Sequence, residues 1–157
     1  GILYVRQDKI AGLWPIYADE SMADTDIRKL NHTGTHPVHT DLGIDDAIDF
    51  HESIGAERKE ARLRYIQRYW TTRVRDVPNV LVNTPTDPKR SCAIANVGVR
   101  GIPPADLAKT LFERYKVFTV AIDTANVHGV RVTPQLFTTP KELDVLVRAL
   151  KELAAAA

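Results

Sequence analysis

From residue 57 onward the sequence alternates between two hydrophobic periods, and this alternation limits the possible folds more than any other feature. Leu63, Ile66, Trp70 and Val74 recur at spacings of three and four, the mark of one helix face over about residues 57–74. Pro78 stops that helix. Val80-Leu81-Val82 and residues 93–99 then read as strands on either side of Thr84-Pro85-Thr86-Asp87-Pro88, an interval short enough to favour an antiparallel pair. Pro103-Pro104-Ala105-Asp106 opens a helix that runs to about Tyr115, with Leu107, Leu111 and Phe112 expected on its buried side. Residues 117–122 and 127–133 are two further strand candidates, linked by Asp123-Thr124-Ala125-Asn126. Thr139 as N-cap and Pro140 at the first helical position begin a last helix, with Leu143, Leu146, Val147, Leu150 and Leu153 as its stripe. Helix, strand, strand, helix, strand, strand, helix is the order of an α+β layer domain: a small, mostly antiparallel sheet with helices on one face.

The first 56 residues do not close into a unit by the same logic. Residues 1–6 are rich in strand formers and read as a strand whose other sheet members lie elsewhere. Residues 11–41 lose periodicity and read as largely irregular chain. Asp45 and Asp46 suit the first turn of a helix over residues 45–53 that ends at Gly55.

Charge excludes a wholesale polyelectrolyte, since 21 Lys+Arg against 20 Asp+Glu leave a net charge of +1. Any basic footprint must be local. The single cysteine, Cys92, can form no internal disulfide and reads as a small core residue. Apolar runs such as residues 117–122 fall far short of the roughly 20 residues that span a bilayer, so no membrane association is expected.

Four features could carry chemistry. His32, His36 and His39 crowd one segment, but Gly34 and Pro37 argue against the helix that would make them converge on a metal, so none is assigned. Thr33-Gly34-Thr35 sets two hydroxyls about a residue that lets backbone N–H groups approach closely, which suits a phosphate or, equally, a turn. Arg131, between Val130 and Val132, is either a solvated surface arginine or a planar fork for a substrate carboxylate, and His128 nearby reads as a turn residue. The basic helix of residues 57–75 could engage an acidic partner or nucleic acid. Its cations spread around the helix, however, and Tyr65, Tyr69 and Trp70 suit packing better than base stacking, so no nucleic-acid partner is expected.

Two of these segments together resemble a known family. Thr33-Gly34-Thr35, followed by a proline and the helical residues 44–55, resembles the Ser/Ala-Gly-Thr stretch of class V aminotransferase-like enzymes, the fold-type I pyridoxal-phosphate group. Val130-Arg131-Val132-Thr133-Pro134-Gln135-Leu136-Phe137-Thr138-Thr139 resembles that group's Arg-x-Ser-x-x-x-Tyr-Asn-Thr motif, with Thr133, Phe137 and Thr138 replacing Ser, Tyr and Asn. Ala47-Ile48-Asp49-Phe50 makes the isopenicillin-N epimerase-like branch the most similar.

The resemblance implies roles. Thr33, Gly34 and Thr35 would bind the phosphate of pyridoxal 5'-phosphate held mainly by the other subunit of a homodimer, and Arg131 would bind the α-carboxylate of an amino-acid substrate. The Schiff-base lysine would precede Gly1, so no catalytic residue is assigned within the chain, and the remainder of the protein upstream is itself an expected partner. On this reading residues 1–56 are the C-terminal remnant of the large cofactor domain and residues 57–157 the small α+β domain. The implied activity is transamination or epimerisation at an amino-acid α-carbon, by the full-length enzyme and not by this portion alone. A cysteine desulfurase or lyase of the same fold is the alternative, and a non-enzymatic binding module using the basic helix is a further one. A cytoplasmic location is expected, and an exported full-length form is also compatible.

Overall fold

The structure, a computed structural model, describes residues 2–15, 22–31, 34–35 and 37–157. It divides into two compact units, residues 1–48 and residues 49–157.

In the first unit, two short 3-10 segments occupy Gln7–Gly12 and Ile27–Leu30. Asp26 begins the second. Its Oδ1 accepts from the Arg28 backbone N–H at 2.9 Å, and its Oδ2 pairs with the Arg28 guanidinium at 2.6 Å, which holds the Asp26 carboxyl below its ordinary range. Residues 2–6 form no regular element, against the expected strand. Strand formers need a neighbour for their backbone N–H and C=O groups, and no other described strand pairs with them; Ile2, Leu3 and Tyr4 are exposed. The irregular stretch is also shorter than expected, because helix α1 spans Val38–Ile54 and not residues 45–53. Pro37 lies immediately before its first turn, where a missing N–H costs nothing, and the Pro37 carbonyl accepts from both the backbone N–H and the hydroxyl of Thr40.

The second unit follows the expected order closely. Helix α2 is Ala56–Val74, strands β1 and β2 are Val80–Val82 and Ala95–Val99, helix α3 is Pro104–Tyr115, strands β3 and β4 are Val120–Thr124 and Val127–Val132, and helix α4 is Pro140–Ala155. The fold is α+β, with a four-stranded sheet in the order β1-β2-β4-β3, antiparallel at every pairing. Register sets the faces. Val82 pairs with Val97, Val97 with Val130 and Ala95 with Val132, so the odd positions of β2 and the even positions of β4 share one face. That face meets Ile66, Trp70 and Val74 of α2, Leu107 and Leu111 of α3, and Leu143, Leu146, Val147, Leu150 and Leu153 of α4 in a single core. Phe112 departs from expectation and is exposed, with its ring edge-on to Phe118 at 6.2 Å.

Local chemistry fixes the ends of α4 and α3. The Thr139 hydroxyl accepts from the Glu142 backbone N–H while the Glu142 carboxylate accepts from the Thr139 N–H at 2.7 Å, a reciprocal cap with Pro140 in the first turn. These bonds hold the Glu142 carboxyl below its ordinary value. Helix α3 ends where Lys116 turns left-handed at φ 59° and its N–H returns to the Phe112 carbonyl. Among the described residues no helix is long and apolar enough to cross a membrane.

Candidate functional site

Arg131 sits on β4 between Val130, which is fully buried, and Val132, which is nearly so. Alternation along the strand therefore turns Arg131 to the opposite face of the sheet from the helices. The guanidinium makes no hydrogen bond or ion pair with any described residue. Register places Asn96 of β2 and Val120 of β3 on either side of it, and the Asn83 N–H donates to the Asn96 carbonyl at 3.0 Å, extending the row past the end of β1.

Hydrogen bonding fixes the orientation of Asn96. Asn83 Nδ2 donates to the His128 carbonyl at 3.1 Å and to Asn96 Oδ1 at 2.6 Å. Because a backbone carbonyl only accepts, the Asn83 group facing it must be the amide nitrogen, and Asn96 must then turn its oxygen toward Asn83. Asn96 Nδ2 is left buried without a partner among the described residues. Arg131 is exposed on this face with no carboxylate beside it, and the buried, unpartnered Asn96 amide stands next to it in register; an exposed guanidinium of this kind is free to bind an anionic group. The backbone here is tightly packed: a Cβ on Gly129 would lie 2.5 Å from the Val97 carbonyl oxygen, and one on Gly98 would lie 2.8 Å from that of His128. Glycine is required at both positions for the strands to approach.

The loop after Arg131 is tied down by residues that the sequence did not single out. Arg62 of α2 donates from Nη2 to the Thr138 carbonyl at 3.0 Å and from Nε to the Leu136 carbonyl at 3.4 Å, while Thr138 Oγ1 accepts from the Gln135 N–H. Thr138 thus serves as a turn residue, and Phe137 beside it is exposed. Only the spacing of cations along α2 carried any signal for Arg62, and spacing cannot reveal a contact with a segment more than seventy residues away.

The remaining candidates are distributed as follows. Thr33, His32 and His36 lie outside the described residues. In the first unit Gly34 has φ 113°, a conformation open to glycine and strained for other residues, and the adjoining Thr35 is exposed with its hydroxyl unpartnered among the described residues. Such a pair can present backbone and hydroxyl donors to a phosphate. His39 falls in the first turn of α1 and is exposed. His128 Nδ1 lies 2.5 Å from Asp123 Oδ1 across the β3–β4 hairpin, so it is a hydrogen-bonded strand residue rather than a turn residue. Cys92 is exposed and lies in the loop before β2, which corrects its reading as a core residue; strand β2 begins only at Ala95. Among the aromatic residues of α2, Trp70 is fully buried and packs as expected, whereas Tyr65 is largely exposed, with the Arg62 guanidinium 5.5 Å from its ring centre.

Comparison with known proteins follows the same outline. The chain is 26% identical to a probable cysteine desulfurase of Streptomyces coelicolor, across 98% of this chain and 41% of that protein. It is 27% identical to an isopenicillin N epimerase of Amycolatopsis lactamdurans, across 82% of this chain and 32% of that protein. The chain therefore spans well under half the length of these relatives. Among solved structures, the fold matches a cystine C-S lyase, C-DES, in complex with its product cysteine persulfide at a TM-score of 0.74, with 16% identity over 95% of this chain and 41% of that one. It also matches an apo cysteine desulfurase of Thermococcus onnurineus NA1 at 0.69, with 18% identity over 82% and 34%. The model of the aminotransferase class-V family matches residues 1–146, and the chain belongs to that family, whose members use pyridoxal phosphate.

Proposed function

We propose that the enzyme carrying this chain acts at the α-carbon of an amino acid, by transamination or epimerisation, and that Arg131 binds the substrate carboxylate. The supporting observation is the unpaired guanidinium on the helix-free face of the sheet, with the Asn96 amide donor next to it in register. Arg131 would offer two parallel N–H donors to the carboxylate, and the Arg62 bonds to Leu136 and Thr138 would hold the loop that follows. Thr33, Gly34 and Thr35 would bind the phosphate of the cofactor, in a site shared between the subunits of a homodimer; the left-handed backbone at Gly34 and the exposed Thr35 support this. Pyridoxal phosphate, when bound, supplies the electron sink that acidifies the α-carbon.

A second reading within the family is carbon–sulfur lysis, the chemistry of a desulfurase. It is favoured by the exposure of Cys92 and by the groove that Cys92 and Asn96 line together, which brings a thiol near the row that contains Arg131. One experiment separates the two. The enzyme carrying this chain is incubated in D2O with L-amino acids, including cysteine, while α-proton exchange and sulfur release are followed. Deuterium at the α-carbon of sulfur-free amino acids supports the first reading. Sulfur release from cysteine that disappears in Cys92→Ser, without exchange on the other substrates, overturns it in favour of lysis.

A further inference from the structure

A cleft of about 130 Å3 lies between α2 and the loop that carries residues 85–92. It takes no residue from the Arg131 row or from the Thr33-Gly34-Thr35 segment. Arg64 and Arg68 of α2, and Arg75 just past its end, line it together with Gln67. The space is about ten times the ~10–15 Å3 that a single water requires.

Two of the three guanidiniums are fixed. Arg64 donates from Nη1 to the Pro88 and Ser91 carbonyls at 2.7 and 2.5 Å and from Nε to Glu60 Oε1 at 2.8 Å. Arg75 donates from Nη2 to the Thr84 carbonyl at 2.9 Å and from Nη1 to that of Val82 at 3.5 Å. Their positive charge is thereby held at the wall of the cleft with little side-chain freedom left to lose. The other two polar groups are unspent. The Arg68 guanidinium has no hydrogen bond or ion pair with any described residue. Gln67 is only 4% exposed, and its amide makes no hydrogen bond to any described residue and meets the open space of the cleft that it lines. An amide that faces the cleft can donate to an acceptor bound there. Thr86 adds a hydroxyl from the loop side, and Pro85 and Pro88 stiffen the loop. The charge is one-sided, because Glu60 balances one of the three arginines, so the site calls for an acceptor carrying more than one negative charge and several oxygens.

We propose that this cleft binds a phosphate-type oxyanion, with Arg68 and the Gln67 amide as direct donors and Arg64 and Arg75 as its fixed positive wall. The inference stands on α2 and its loop and does not depend on the activity proposed above.

Cys92 lines the same cleft and is exposed, so it reports on occupancy. The enzyme carrying this chain is treated with iodoacetamide across a range of inorganic phosphate concentrations, with potassium chloride of matched ionic strength as control, and alkylation of the Cys92 peptide is followed by mass spectrometry. Phosphate is expected to slow alkylation saturably while chloride does not. Arg68→Ala, a change at an exposed position, should raise the half-protecting concentration about tenfold or more, consistent with loss of a charge-assisted hydrogen bond. Arg58→Ala, on the same helix but not lining the cleft, should leave it unchanged. Protection that never saturates, that chloride reproduces, or that responds equally to both substitutions would overturn the site.

Discussion

Helices α1 and α4 are nearly equal in length, 17 and 16 residues, and opposite in what supports them. Helix α4 buries seven residues against the sheet and α2, and its first turn is closed by the Thr139–Glu142 cap. Helix α1 buries none; Val38, Leu42 and Phe50 are all exposed. Peptides of this length are marginal helices in water, so packing, and not propensity, decides how firmly each is held. The contrast separates elements whose stability is written in their own contacts from elements whose sequence is helical but whose apolar side chains find nothing to cover among the described residues.

Core truncations should give the largest effects. Trp70→Ala removes a fully buried ring at the centre of the α2–sheet contact and should cost about 3–5 kcal/mol, and Leu150→Ala in α4 about 2–5 kcal/mol. Leu42→Ala or Phe50→Ala in α1 should change stability by less than about 0.5 kcal/mol. Denaturant titrations of these variants check this, and a large cost at Leu42 would erase the distinction between the helices. A smaller effect is expected at the cap, where Thr139→Ala should cost about 1 kcal/mol. Its partner gives the pH dependence. The folded carboxyl of Glu142 titrates below its ordinary 4.5, so its stabilisation is complete above that value and is lost as pH falls through the lowered folded value. Glu142→Gln should flatten this part of the acid limb, measured as unfolding midpoint against pH; an unaltered limb would remove the cap from the account.

The same contrast explains what could be read in advance. In the second unit each element has a strong period and a chemical stop, such as Pro78, Pro104 and the Thr139-Pro140 start, and the pattern is read from neighbours within one turn or one strand. In the first unit the signals compete. Pro37 and Gly34 look like helix breakers, although a proline just ahead of the first turn is a helix starter, and residues 2–6 have strand propensity with no described partner. The Arg131 row was half legible. The position of Arg131 between two valines indicated a face change, but the unspent donor of Asn96 depends on Asn83, on the His128 carbonyl and on register, none of which short-range pattern encodes. Cys92 misled because a single cysteine without a His or Lys neighbour reads as core, whereas it is exposed in a loop and strand β2 starts three residues later.

The central claim is that Arg131 binds a carboxylate, and substitution in the enzyme carrying this chain tests it most directly. With Arg131→Ala, kcat/KM for the amino-acid substrate should fall by the equivalent of about 2–4 kcal/mol, mainly through KM, and Arg131→Lys should recover part of the loss. An amine substrate lacking the carboxylate should respond little to either change. An unchanged KM for the amino acid, or an equal loss on both substrates, would contradict the assignment.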